Sequence, residues 1–130
     1  MGEIEMNTPT IRLSEDIELP YKCDLYVLDM IQQKYGTIVE FEKQLIGIKT
    51  VPDKDENGNP INKDIKVEPS ISAILFALPL MIREGLEIEQ VNGEHPFKTN
   101  LDIISVVTRD YRAIADDLHS ELKNCFKIKK

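Results

Sequence analysis

The chain has 130 residues, 16 of them basic and 23 acidic, for a formal charge of −7; 42% hydrophobic and 30% charged residues are ordinary for one globular domain, taken here as 1–130. This balance excludes wholesale disorder and disfavours nucleic-acid binding, where Lys and Arg must displace phosphate counterions. Cys23 and Cys125 have no C-x-x-C pair and no His at zinc-ligand spacing, so the expectation is two buried, reduced thiols, with no disulfide needed at this size.

Residues 4–21 read as a small hairpin: Ile11 and Leu13 alternate with polar neighbours, Ser14-Glu15-Asp16 supplies turn chemistry, and Ile17 and Leu19 resume the alternation. Over about 23–35 the period changes to three and four, with Leu25, Leu28, Ile31 and Tyr35 on one predicted helical face and Gly36 as its stop. Thr37 and Glu40 have capping-box form and open a second helix over 37–47, with Phe41, Leu45 and Ile46 inward.

An insertion at 48–68 reads as a β-hairpin, its strand-like ends, Ile48–Val51 and Ile65–Val67, flanking a long, mobile polar loop. Within that loop Asp53-x-Asp55-x-Asn57-Gly58 matches the first half of a calcium loop. The second half departs from the motif, with Pro60 at the eighth position and Asp64 in place of the bidentate Glu. Asp53, Asp55 and Asn57 are therefore a weak alternative metal site, and a solvated turn is the main expectation.

A third helix is predicted over 70–85, opened by Pro69-Ser70 and stopped by Gly85, with a kink or break at Pro79. Its main stripe is Ile71, Ile74, Leu75, Leu78 and Ile82. Ala73, Phe76, Ala77 and Leu80 make the other side apolar as well, so the helix needs cover on every face, from the domain itself or from a partner. These four residues are the candidate partner-binding set. Ile71–Ile82 is short of the ~18–20 residues that cross a bilayer, and the acidic start Met1–Glu5 is unlike a signal peptide; a cytoplasmic protein without a membrane partner is expected.

A turn at Gly93–Pro96 leads to Thr99 and Asp102, which signal one long C-terminal helix over 100–127. Its stripe runs through Ile104, Val107, Thr108, Tyr111, Ile114, Ala115, Leu118, Leu122, Cys125 and Phe126, and Lys123, Lys127, Lys129 and Lys130 suit its C-terminal dipole. Asp116 and His119 are spaced as an acid-base or metal pair, yet read better as an exposed i,i+3 pair; His95 reads as a surface turn residue. No G-x-S-x-G elbow, P-loop or G-x-G-x-x-G fingerprint occurs, so neither catalysis nor a cofactor is expected. The fold class is mainly α with some β (α+β): an N-terminal hairpin, a core of about four helices ending in a long one, and a polar hairpin insertion.

The order of these elements, with Leu25-Tyr26-Val27-Leu28-Asp29-Met30-Ile31-Gln32-Gln33-Lys34-Tyr35-Gly36-Thr37 in the first helix and Met81-Ile82-Arg83-Glu84-Gly85 closing the third, resembles the tail assembly chaperones of long-tailed bacteriophages and prophages. The likeness covers about Ile11 to Phe126; the insertion and Pro79 depart from it. The resemblance implies a non-enzymatic protein of the bacterial host cytoplasm that coats the helical, apolar-rich tape measure protein until tail tube subunits displace it. It makes the tape measure protein the expected partner, with the tail tube protein and further copies of the chain as secondary candidates. Two other readings stay open, a small acidic regulatory or antitoxin-like interaction module and a calcium-binding module using the Asp53 loop.

Overall fold

A computed structural model describes residues 8–88, 97 and 99–126. Among them are five helices and two separate antiparallel strand pairs, the mainly helical α+β class expected from the sequence. The chain opens with β1 (Thr10–Arg12) and β2 (Glu18–Pro20), paired through Ile11↔Leu19. Ile11 and Leu13 point into the core.

Helix α1 (Leu25–Tyr35) starts where the Asp24 carboxylate accepts the Val27 N–H at 3.1 Å. It ends at Gly36, whose φ of 86° lies in the region that glycine tolerates. The buried stripe is Val27 and Ile31, with Leu28 and Tyr35 packed beside them; Leu25, expected inward, is exposed because it opens the first turn just after the cap. Helix α2 (Ile38–Ile46) is capped by Thr37, whose hydroxyl accepts the Glu40 N–H at 3.0 Å, and buries Phe41 and Leu45.

Strands β3 (Ile48–Lys54) and β4 (Pro60–Lys66) pair in register from Ile48↔Lys66 to Lys54↔Pro60. The expected long loop is thus a five-residue turn over 55–59: cross-strand pairing extends into the polar segment, and Asp55 closes it. The Asp55 carboxylate accepts the N–H groups of Asn57 and Asn59, both at 2.9 Å, while Gly58 takes a φ of 82°.

Helix α3 (Ile71–Ile88) is the centre of the molecule, packing on α1, α2, α5, β2 and the short helix α4 (Asn100–Ser105). It corrects two expectations. Of the kink or break expected at Pro79, the break does not occur: the helix runs through it as one element with Pro79 buried. Nor does Gly85 stop it: Gly85 is buried within the last turns, where a Cβ would lie 2.4 Å from the Pro20 carbonyl carbon and 2.5 Å from the Tyr21 nitrogen. The chain leaving β2 runs so close that the Lys22 N–H donates to the Met81 carbonyl at 2.9 Å. The glycine is there for contact with a strand, and tertiary packing carries the helix on to Ile88.

The expected single C-terminal helix is two, α4 and α5 (Tyr111–Cys125). Thr99 and Asp102 do form a reciprocal capping box at the start of α4. The break comes because Thr108 and Arg109 turn their N–H groups to the Leu13 carbonyl, at 3.0 and 3.2 Å, in place of helical acceptors. Asp110 then caps α5 by accepting the Arg112 N–H at 2.8 Å. The break resets the helical phase, so α4 buries Ile103 rather than the expected Ile104, while Ile114, Ala115, Leu118 and Leu122 face the core as expected. Among the described residues no helix is long and apolar enough to cross a membrane.

Candidate functional site

The candidate partner-binding set on α3 separates in the fold. Ala73 and Ala77 are fully buried, and Phe76 and Leu80 are partly buried against the core. The Phe76 ring meets Tyr35 edge-on at 5.8 Å, with the Lys34 ammonium 5.5 Å above it. That side of α3 is covered by the domain's own helices. The most exposed apolar residues of α3 come instead from the expected core stripe, Ile71 at 55% and Leu75 at 42%, with Ile88 exposed at its end.

A second apolar surface lies on the β3–β4 hairpin. Among the described residues β4 packs along β3, touching α2 only through Lys66 at its end, and β3 packs otherwise on α2. Directly paired residues share a face, so the register separates the side chains of the two strands. One face carries Thr50, Asp64 and Lys66 and looks toward α2: Lys43 Nζ donates to Thr50 Oγ1 at 2.9 Å, and Lys66 Nζ to the Ile46 carbonyl at 3.1 Å. The other face carries Val51, Ile61 and Ile65, continues to Val67, and is flanked by Lys49, Lys63 and Asp53. Ile61, Ile65 and Val67 are 42, 37 and 38% exposed, although β-branched side chains at alternate positions are those that normally pack against a second layer. At the hairpin root Val67 lines two open grooves, one beside Lys43 and Gln44 of α2 and one beside Arg112 and Asp116 of α5.

No family model, no curated protein and no solved structure matches the chain. The chemistry of the site therefore rests on the chain's own residues.

The calcium-type residues serve the turn. The Asn59 N–H, together with that of Asn57, holds the Asp55 carboxyl below its ordinary range. Asp53 accepts the Lys54 N–H at 2.8 Å and lies 3.7 Å from the Lys63 ammonium. Among the described residues no three His, Cys, Asp or Glu side chains are grouped to hold a metal ion. The flanks are strands, as expected, rather than the helices of an EF-hand.

His119 pairs with a different carboxylate from the one its spacing suggests. Its Nε2 lies 2.7 Å from Glu42 Oε2 of α2, so the contact ties α5 to α2 and is partly buried, while Asp116 is exposed. His95 lies outside the described residues.

Two acidic residues gain roles that spacing alone did not assign. Glu121, 1% exposed, accepts the Cys23 N–H at 2.9 Å and lies 3.7 Å from the Lys22 ammonium, which offsets the cost of a buried carboxylate. The available signal was an acidic residue inside the apolar stripe, between Leu118 and Leu122. Glu84 of α3 is pushed up to about 7, first by burial and next by a hydrogen bond to Asp24, whose charge and that of Glu87 add to the shift. For the hairpin face the signal was the two-residue step from Ile65 to Val67, with Ile61 in the same phase.

Proposed function

We propose that this chain is a non-enzymatic tail assembly chaperone of a bacteriophage or prophage. It holds the tape measure protein soluble in the host cytoplasm until tail tube subunits replace it. The observation that carries the reading is the outward face of the β3–β4 hairpin, where partly buried Val51 and exposed Ile61, Ile65 and Val67 form an apolar stripe that no second layer packs against among the described residues. A holdase needs such a surface to grip a client, and it needs charge to keep the complex in solution. The formal charge of −7 supplies the second.

The client contact moves from the face of α3 that carries Ala73 and Ala77 to this hairpin face, with exposed Ile71 and Leu75 as a second contact. The occupant is an amphipathic helical segment of the tape measure protein, whose apolar side lies along the stripe. A two-stranded face is small against the ~800 Å² per partner of a stable complex, which suits a client that must be released.

The test is co-expression with a tape measure protein from the same genome, measuring soluble client. Omitting the chaperone is expected to send most of the client to the pellet, and Ile61→Lys with Ile65→Lys to lower soluble client several-fold. These exposed positions should change stability by no more than about 0.5 kcal/mol. A client equally soluble without the protein would rule out the chaperone role. A client that needs the protein yet ignores the double substitution would leave the role standing and remove the hairpin from it.

A further inference from the structure

Cys23 and Cys125 are roughly a hundred residues apart in sequence, and the fold brings them together. Cys23 lies between β2 and α1, and Cys125 is the last residue of α5. The Cys23 N–H is bound by Glu121, and residues four apart stack on one helical face, so Cys125 sits one turn beyond that anchor. The two thiols lie close enough for Cys125 to act on the ionisation of Cys23. They differ in access: Cys23 is 1% exposed, whereas Cys125 is only partly buried at the helix end.

We propose that Cys125 is a site of thiol–disulfide exchange and Cys23 its resolving thiol, so that a small-molecule disulfide converts the pair to an intramolecular disulfide joining the start of α1 to the end of α5. The Cys125 thiolate attacks one sulfur of the small disulfide, forming a mixed disulfide and releasing one small thiol; the Cys125 proton passes to solvent. The Cys23 thiolate then attacks the Cys125 sulfur and expels the second small thiol. Two electrons and two protons leave the protein thiols and appear in two molecules of reduced small thiol.

The order of attack follows from the surroundings. Burial first, and the neighbouring Cys125 thiol next, push the Cys23 thiol above its ordinary value, and the nearby Glu121 and Asp24 charges act the same way. Cys23 is thus a poor first nucleophile toward a reagent in solvent. Once Cys125 carries a leaving group, the neighbouring position of Cys23 replaces encounter by proximity. The product would close a loop of most of the chain, the case in which a cross-link restricts the unfolded state most.

The experiment exposes the folded protein to excess oxidised glutathione, then counts thiols in denaturant and determines intact mass. The expected result is loss of both thiols, a mass lower by two hydrogens, no retained glutathione, a monomer on a non-reducing gel, and a thermal midpoint several degrees higher that reverts with dithiothreitol. Cys23→Ala should retain glutathione on Cys125, and Cys125→Ala should keep an unreacted Cys23. Two surviving thiols, a stable glutathione adduct on the unsubstituted protein, or a disulfide-linked dimer would each overturn the proposal.

Discussion

Gly85 shows how a residue's role depends on what stands opposite it. In an isolated helix, Gly→Ala gains about 1 kcal/mol from lower backbone entropy and a better propensity. Here the added methyl meets Pro20 and Tyr21 backbone atoms at 2.4–2.5 Å, and backbone cannot swing away as a flexible side chain can. Gly85→Ala is therefore expected to destabilise by about 1–3 kcal/mol in urea unfolding, the cost typical of overpacking. A stabilised variant would mean that β2 does not approach α3 this closely. Glu84 gives a second residue-scale expectation. Its carboxyl titrates near 4.5 unperturbed and about 7 in the fold, so the folded state holds the proton more tightly. Its contribution is complete below about pH 4.5 and is lost as pH rises through about 7. The thermal midpoint should fall from pH 5 to pH 8, and Glu84→Gln should flatten that decline. An equal slope in both proteins would place the proton elsewhere.

At the scale of elements, the β3–β4 hairpin and α3 are opposites. The hairpin carries its apolar residues on one open face, whereas α3 is buried along its middle and exposes apolar side chains toward its ends, at Ile71, Leu75 and Ile88. Besides the bonds of Lys43 and Lys66, two backbone bonds fix the hairpin's root: the Val67 N–H donates to the Gly47 carbonyl at 2.7 Å, and the Ser70 N–H to that of Gln44 at 2.8 Å. Gly47 cannot be replaced there without strain, since its φ is 81° and a Cβ would lie 2.2 Å from the Val67 oxygen. Excising Val51–Lys63 and joining Thr50 to Asp64 through Asn-Gly leaves those attachments intact and removes Val51 and Ile61, half of the apolar stripe. Helix content by circular dichroism and the thermal midpoint should hold to within a few degrees, while client solubilisation falls several-fold. Collapse of the midpoint would make the hairpin part of the stabilising core and sink its role as a projecting arm. The α4–α5 junction is the other element-scale lesson. Five residues, 106–110, change helical phase because the N-terminal hairpin offers the Leu13 carbonyl to their N–H groups, and Arg109 adds bonds to the Arg12 carbonyl at 3.1 Å and to Asp117 at 2.6 Å.

Over the whole molecule, the features set by short-range chemistry were legible in the residues alone. Caps at Thr37, Thr99, Gly36 and Gly47 set helix ends because each satisfies backbone groups within a few residues. The three-and-four periodicity placed Ile31, Phe41, Leu45 and Leu118 inside, since a helix has one buried side whatever covers it. The hairpin insertion was legible from its apolar ends and polar turn. Tertiary structure alone decided the rest. Long-range partners supplied by Leu13, Pro20 and Glu42 split the last helix, carried α3 past Gly85 and drew His119 away from Asp116. The same holds for the apolar surfaces. Composition located the surplus apolar residues on α3 and could not say which side the other helices would cover. Exposure is a property of the packed assembly, so the uncovered stripe emerged on the hairpin, and the distant cysteines met at one end of α5.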